Sequence, residues 1–205
     1  MAVIILVRHG QSENNVAGLL SSAPSDGYKL TELGKRQVKS AADSLSWLKV
    51  SGIYSSSITR ALQTAEILSE GRNLKISKDD RLIERGMGTM DGKSSQDGRW
   101  PFLLGEEGIK ANRVEPWEAI QKRTIAFADS LPEGNAAFLA ASHEDTIKAF
   151  VTAVLHCSEW QMLGLSLKNG SITIVERSPK GYRLLGAGMP LLPDSVKAEI
   201  SRILS

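Results

Sequence analysis

Two histidines in this chain stand directly after apolar runs. Arg8-His9-Gly10 follows Val3 to Val7, and Ser142-His143 follows Ala136 to Ala141. An imidazole with one nitrogen held and the other free can act as a nucleophile or carry a proton. Arg8 puts fixed positive charge beside His9, and Arg60 falls in the first turn of an expected helix. Two imidazoles, two guanidiniums and nearby backbone donors suit the oxygens of a phosphate. The arginines would neutralise those oxygens as charge develops during transfer. The plain alternative is a pair of structural histidines with surface arginines, and the position of both histidines at strand ends weighs against it.

Glu84, the isolated carboxylate in the glycine-rich segment near the third strand, is a candidate to protonate a leaving oxygen, because a nearby phosphate charge disfavours its ionisation. Its alternative is a surface ion pair with Arg81 or Arg85, and Asp79, Asp80 and Asp91 are rival acids. Ser12 and Asn15 can donate to phosphate or simply bond within their loop. Gly105-Glu106-Glu107 is a candidate closing segment. Trp100, Phe102 and Trp117 fit core packing better than a substrate wall. Cys157 reads as buried helix packing, and His156 as surface or structural. Ser142-His143-Glu144-Asp145 is a poor metal site, since adjacent residues rarely all point at one ion. The patterns GxxxxGK[ST], GxGxxG and GxSxG are absent.

These groups need elements to hold them. Val3 to Val7 has no alternation and reads as a strand buried on both faces. Its carboxyl end, where an open α/β sheet binds ligands, carries Arg8 and His9, followed by the polar loop Gln11 to Asn15. Residues 16–30 read as loop. Thr31 can cap a helix striped by Val38, Ala41, Ala42, Leu45 and Leu48 and ending near Lys49. Gly52 to Ser55 is a short strand, followed by a helix striped by Ile58, Ala61, Leu62, Ala65 and Leu68 and stopped near Gly71. Leu74 to Ser77 is a third strand. Residues 78–112 are rich in glycine and read as an irregular ordered insertion that walls or covers a site. Helix returns from Trp117 to Leu131, with Pro132 and Gly134 in the turn after it. The strand Ala136–Ala141 precedes a helix striped by Ile147, Phe150, Val151 and Val154. Ser171–Val175 and Tyr182–Leu185 are late strands about a Pro179-Lys180-Gly181 turn, and Asp194 to Leu204 is a final helix. The order predicts a three-layer α/β/α sandwich with a mostly parallel central sheet, one domain over 1–205 with 78–112 covering the site.

The chain has 205 residues and 41 % hydrophobic content, enough for a packed core. Its net charge of +2 gives no global case for nucleic acid or membrane binding. One cysteine excludes an internal disulfide and agrees with a cytoplasmic location. The N-terminal apolar run is too short for a signal peptide, and no apolar run reaches the ~18 residues of a membrane span. Two chains pairing as a homodimer through the late strands or the C-terminal segment is compatible with the sequence, and nothing selects it.

Arg8-His9-Gly10-Gln11-Ser12 with Asn15 resembles the RHGx[ST]xxN signature of the histidine phosphatase superfamily, also called phosphoglycerate-mutase-like. Ser55-Ser56-Ser57 leading to Arg60-Ala61, Thr64 and Ala65 resembles its S-x-x-x-R-A-x-x-T-A helix start. Leu82-Ile83-Glu84-Arg85 resembles its acid-bearing segment, and Ser142-His143 its second histidine. Gly34, Gln37 and Asn169-Gly170-Ser171 add weaker support. The resemblance covers roughly residues 3–176. It implies that His9 becomes phosphohistidine, that Arg8, Arg60 and His143 bind the phosphoryl group, and that Glu84 protonates the leaving oxygen and then assists water. It implies no metal, no cofactor and a small phosphorylated metabolite as partner. Glu144 departs from the family's glycine after the second histidine; a carboxylate there opposes phosphate unless it turns away or pairs, for instance with Lys148. The short interval from Glu84 to His143 favours a phosphomonoesterase over a 2,3-bisphosphoglycerate-dependent phosphoglycerate mutase, with a non-catalytic phospho-ligand binder as a third reading.

Overall fold

The computed structural model describes residues 1–95, 100–162 and 164–205, with side chains described outside 100–104. Among the described residues six strands form one sheet: β1 (Ala2–Arg8), β2 (Gly52–Ser55), β3 (Ile76–Lys78), β4 (Ala136–Ser142), β5 (Ile172–Ser178) and β6 (Gly181–Met189), in the order β3-β2-β4-β1-β5-β6. The first four named in that order run parallel, and β5 and β6 close the sheet antiparallel.

The helices are α1 (Glu13–Ala17), α2 (Glu32–Ser44), α3 (Thr59–Ser69), α4 (Trp100–Ala111), α5 (Trp117–Ser130), α6 (Glu144–Leu155) and α7 (Asp194–Leu204). Alternate residues of β1 point to opposite faces of the sheet. Val3, Ile5 and Val7 pack with Val38 and Leu45 beside α2, Leu68 of α3 and Ile200 of α7. Ala2, Ile4 and Leu6 pack with Phe127 of α5 and Ile147 and Phe150 of α6. The sheet is therefore covered on both sides, and the expected three-layer sandwich with a mostly parallel sheet is what forms. That double cover is why β1 lacks polar alternation.

Several boundaries differ from the sequence reading. The helix expected to run to Lys49 stops at Ser44, and Arg72 donates to the carbonyls of Leu45 and Leu48 in the stretch that follows. Strand β6 runs on to Met189, past Leu185, with register shifts against β5. The largest difference lies in the glycine-rich segment read as irregular: residues 100–111 form α4, interrupted at Gly105, whose φ of 57° and ψ of −177° are not helical. Glycine at that point breaks the turn without a Cβ penalty and allows helix on both sides. The suggested wall from Trp100 and Phe102 falls outside the described side chains.

Candidate active site

Strands β1 and β4 run side by side in parallel, with Arg8 paired to Ser142 at the last register position. The residues that follow, His9 and His143, therefore emerge together from the carboxyl edge of the sheet. Their rings meet edge to face with centroids 5.1 Å apart. Both are buried.

The proton arrangement on His9 is set by its neighbours. Nδ1 lies 2.8 Å from the Gly10 carbonyl, which can only accept, so Nδ1 carries the proton. Nε2 is left with its lone pair and accepts from Arg60 Nε at 3.1 Å. Burial, then Arg60 and Arg8, hold the His9 pKa well below 6.5, so the ring is neutral at pH 7. Burial and the same arginines, together with His9, lower His143 in the same direction. His143 Nε2 lies 2.8 Å from Ser56 Oγ, and that oxygen also accepts from the Ile58 amide at 3.2 Å. The Ser56 hydroxyl is free to donate its proton to Nε2, and in that tautomer His143 carries its own proton on Nδ1. That nitrogen is buried with no hydrogen-bond partner, as is Arg8 Nε. Buried polar nitrogens left without partners are costly, and an anion that reached either one would satisfy it.

Backbone approach fixes the loop after β1. A Cβ on Gly10 would lie 2.3 Å from the Gly34 carbonyl oxygen, and one on Gly34 would lie 2.0 Å from that of Gln11. The start of α2 thus rests directly on the Arg8-His9-Gly10 turn. Gln37 accepts from the Gln11 amide at 2.9 Å, and Asn169 donates to the His9 carbonyl at 3.1 Å. Gly170, with φ of +75°, donates its amide to the Arg8 carbonyl at 3.0 Å. The weaker motif positions noted in the sequence all turn out to clamp this one turn.

Arg60 is buried, and besides His9 it donates to the Ser21 hydroxyl at 3.1 Å and the Ser21 carbonyl at 2.8 Å. A cavity of about 350 Å³ opens in front of His9, walled by Arg8, Arg60, Asn15, Glu84, Glu144 and Lys148 among others. Glu84 accepts the Arg85 amide at 2.9 Å. Burial raises its pKa, against the opposing pull of that amide, Arg60 and Arg8. Its rivals are engaged elsewhere: Asp79 with Arg81, Asp80 with Ser57, and Asp91 with Ser22. Arg85, buried under Trp117, bonds Glu159 at 2.7 Å.

Not every sequence candidate reaches the cavity. Asn15 lines it, with its side-chain oxygen accepting from Asn169 at 3.2 Å and from the Ser12 amide at 3.2 Å. Ser12 is fully buried in the α1 turn, its hydroxyl 2.7 Å from Asn14 Oδ1, and does not line the cavity. Glu106 and Glu107 are exposed and away from its wall. Trp117 is buried, donates to Thr152 at 3.0 Å and shows one edge to the cavity. Cys157 lies past the end of α6 and is partly exposed, contrary to the expected helix packing. His156 caps α6 with φ of 53° and is exposed. The sequence reading gave no individual role to Ser21, Ser56 or Asn14 and weighed Asp145 only as a poor metal ligand; spacing does not reveal a carbonyl that anchors Arg60. Among the described residues no group of three His, Cys, Asp or Glu side chains could hold a metal ion. No helix there is long and apolar enough to cross a membrane.

A mostly parallel sheet with paired histidines, two arginines and a carboxyl at its carboxyl edge defines a phosphoryl-handling class. The chain belongs to the histidine phosphatase superfamily (branch 1), whose profile matches residues 4–189. It is an enzyme of the histidine-phosphatase type. It is 33 % identical over 200 residues to the 2,3-bisphosphoglycerate-dependent phosphoglycerate mutase of Thermoplasma acidophilum, covering 96 % of this chain and 97 % of that one. Among solved structures, Bacillus stearothermophilus YhfR superposes with a TM-score of 0.79 at 25 % identity, over 92 % of this chain and 98 % of that one. An Entamoeba histolytica phosphoserine phosphatase in complex with 3-phosphoglyceric acid shares the fold, with a TM-score of 0.76 at 24 % identity over 94 % and 100 % of the two chains.

Proposed function

We propose that this protein transfers the phosphoryl group of a small phosphorylated metabolite through a phosphohistidine at His9. The observation that carries the reading is the unprotonated His9 Nε2, which among the described residues only Arg60 Nε approaches, together with two buried nitrogens that have no hydrogen-bond partner, His143 Nδ1 and Arg8 Nε. Nε2 attacks phosphorus and the ester P–O bond breaks. Arg8, Arg60 and His143 hold the phosphoryl oxygens, and the leaving oxygen takes the proton of Glu84. In the second half, an acceptor oxygen attacks phosphorus, Glu84 takes its proton, and the N–P bond breaks. No step calls for a metal ion, so EDTA is expected to leave turnover unchanged.

The acceptor decides the reaction. Similarity along nearly the whole length of both chains to the Thermoplasma mutase favours interconversion of phosphoglycerates. It favours this over the hydrolysis preferred from the short interval between Glu84 and His143. Hydrolysis is the second reading, supported by the acidic groups Glu144 and Asp145 on the cavity wall, which oppose a bisphosphate. The domain reading is kept as well: one unit, with the segment 78–112 beside the substrate and Glu84, Met87 and Ser95 on the wall.

The test is an assay of the metal-free protein on 3-phosphoglycerate, with and without 2,3-bisphosphoglycerate, and on a panel of simple phosphomonoesters. Formation of 2-phosphoglycerate with little free phosphate supports the mutase, and phosphate release supports the hydrolase. Either activity is expected to vanish in His9→Ala; turnover that survives the substitution rules out the phosphohistidine.

A further inference from the structure

The phosphate-binding arginine is already occupied by a carboxylate of the protein. Arg8 Nη1 lies 2.8 Å from Glu144 Oε2 and also contacts the Leu167 carbonyl. The other oxygen of Glu144 lies 2.8 Å from Lys148 Nζ, four residues along α6. All three side chains are largely screened, with 15 %, 29 % and 15 % of their surface exposed for Arg8, Glu144 and Lys148. Water therefore weakens the contact less than it would on an open surface.

A phosphate at His9 Nε2 would take the unpartnered Nε of the same guanidinium whose Nη1 Glu144 holds, and the two anions repel. Helical spacing gives Glu144 a second cation on its own element, so it can leave Arg8 without being stranded. We propose that Glu144 is an internal counter-anion that competes with the substrate's phosphate for Arg8 and retires to Lys148 when displaced. On this view Glu144 and Lys148 determine how tightly the phosphoryl site holds an anion. The proposal rests on the reading of the His9 cavity as a phosphoryl site.

A bland role exists for the same residue. An acid in the first turn of α6 favours the helix dipole, and in that role its removal would lower stability and leave anion affinity unchanged. The experiment is calorimetric titration of inorganic phosphate into the folded wild type, Glu144→Gln, Lys148→Met and Glu159→Gln at fixed ionic strength. Removing the competitor is expected to tighten phosphate about tenfold, and removing its resting partner to weaken it several-fold. Glu159 lines the same cavity but is bonded to Arg85, so its variant is expected to stay within about twofold of wild type. Unchanged or weaker binding by Glu144→Gln overturns the proposal. An equal gain in Glu159→Gln also overturns it, since that would be a general field effect. Absence of phosphate binding in all four folded proteins, wild type included, would instead remove the phosphoryl-site reading beneath it.

Discussion

In the proposed reaction His9 is ready to attack at neutral pH, because one proton is fixed on Nδ1 and burial keeps a second one off Nε2. The nucleophile is thus available well below pH 6.5, and loss of activity at higher pH must come from the acid. Glu84 does not titrate alone. Asp145 is raised to about 7, by burial first and then by the charge of Glu84, so the two carboxyls resist ionising together. Removing the like charge in Asp145→Asn is expected to lower the Glu84 pKa, and with it the basic limb of the kcat/KM profile. A limb that stays in place would mean that the carboxyls do not interact. Glu84→Gln is expected to slow esters with poor leaving groups much more than nitrophenyl phosphate, whose leaving oxygen needs no proton. Equal losses on both would take the general-acid role away from Glu84.

The elements act by bringing backbone against backbone. The turn after β1 is held by the start of α2 and by Asn169-Gly170, and neither contact has room for a side chain at its glycine. Gly34→Ala is therefore expected to destabilise the fold by about 1–3 kcal/mol or more, with lost turnover because His9 moves with the loop. Gly27 has open space around its Cβ position, so Gly27→Ala is the matched control in a urea titration, expected near neutral. Comparable stability in the two variants would show that the turn can shift at little cost. Helical periodicity revealed the stripes of α2, α3, α5 and α6. It failed for α4, because the glycines and proline there read as breakers while the chain uses one of them, Gly105, as a break inside a helix.

At the level of the whole molecule, β1 is the shared wall of two cores. Residues on one face pack toward α2, α3 and α7, and those on the other toward α5 and α6. Phe150 sits in the second core, almost wholly buried against that face. Phe150→Ala is expected to cost about 3–5 kcal/mol in equilibrium unfolding. A loss below about 1 kcal/mol would show that α6 can collapse into the space. Since α6 also carries Glu144 and Lys148 beside the cavity, the same variant is expected to loosen phosphate binding.

Residue type and local order were enough to determine the layered α/β fold, the pair of strand-end histidines and the conjunction of Arg8, Arg60 and Glu84. Those signals are local: apolar runs, helical spacing, and a short motif whose residues are neighbours in the chain. Tertiary structure decided the rest. Parallel pairing of β1 with β4 set the imidazoles of His9 and His143 5.1 Å apart, although they lie far apart in the chain. Close packing turned Ser12 inward to its own loop and left Asn15 on the cavity wall. The carboxylate of Glu144, read from sequence as an obstacle to phosphate unless it paired with Lys148, makes that pair and also holds Arg8, a contact no spacing announced. Hydrogen-bond partners and burial depend on residues far apart in the chain, so a linear pattern names the groups and only packing decides which of them meet.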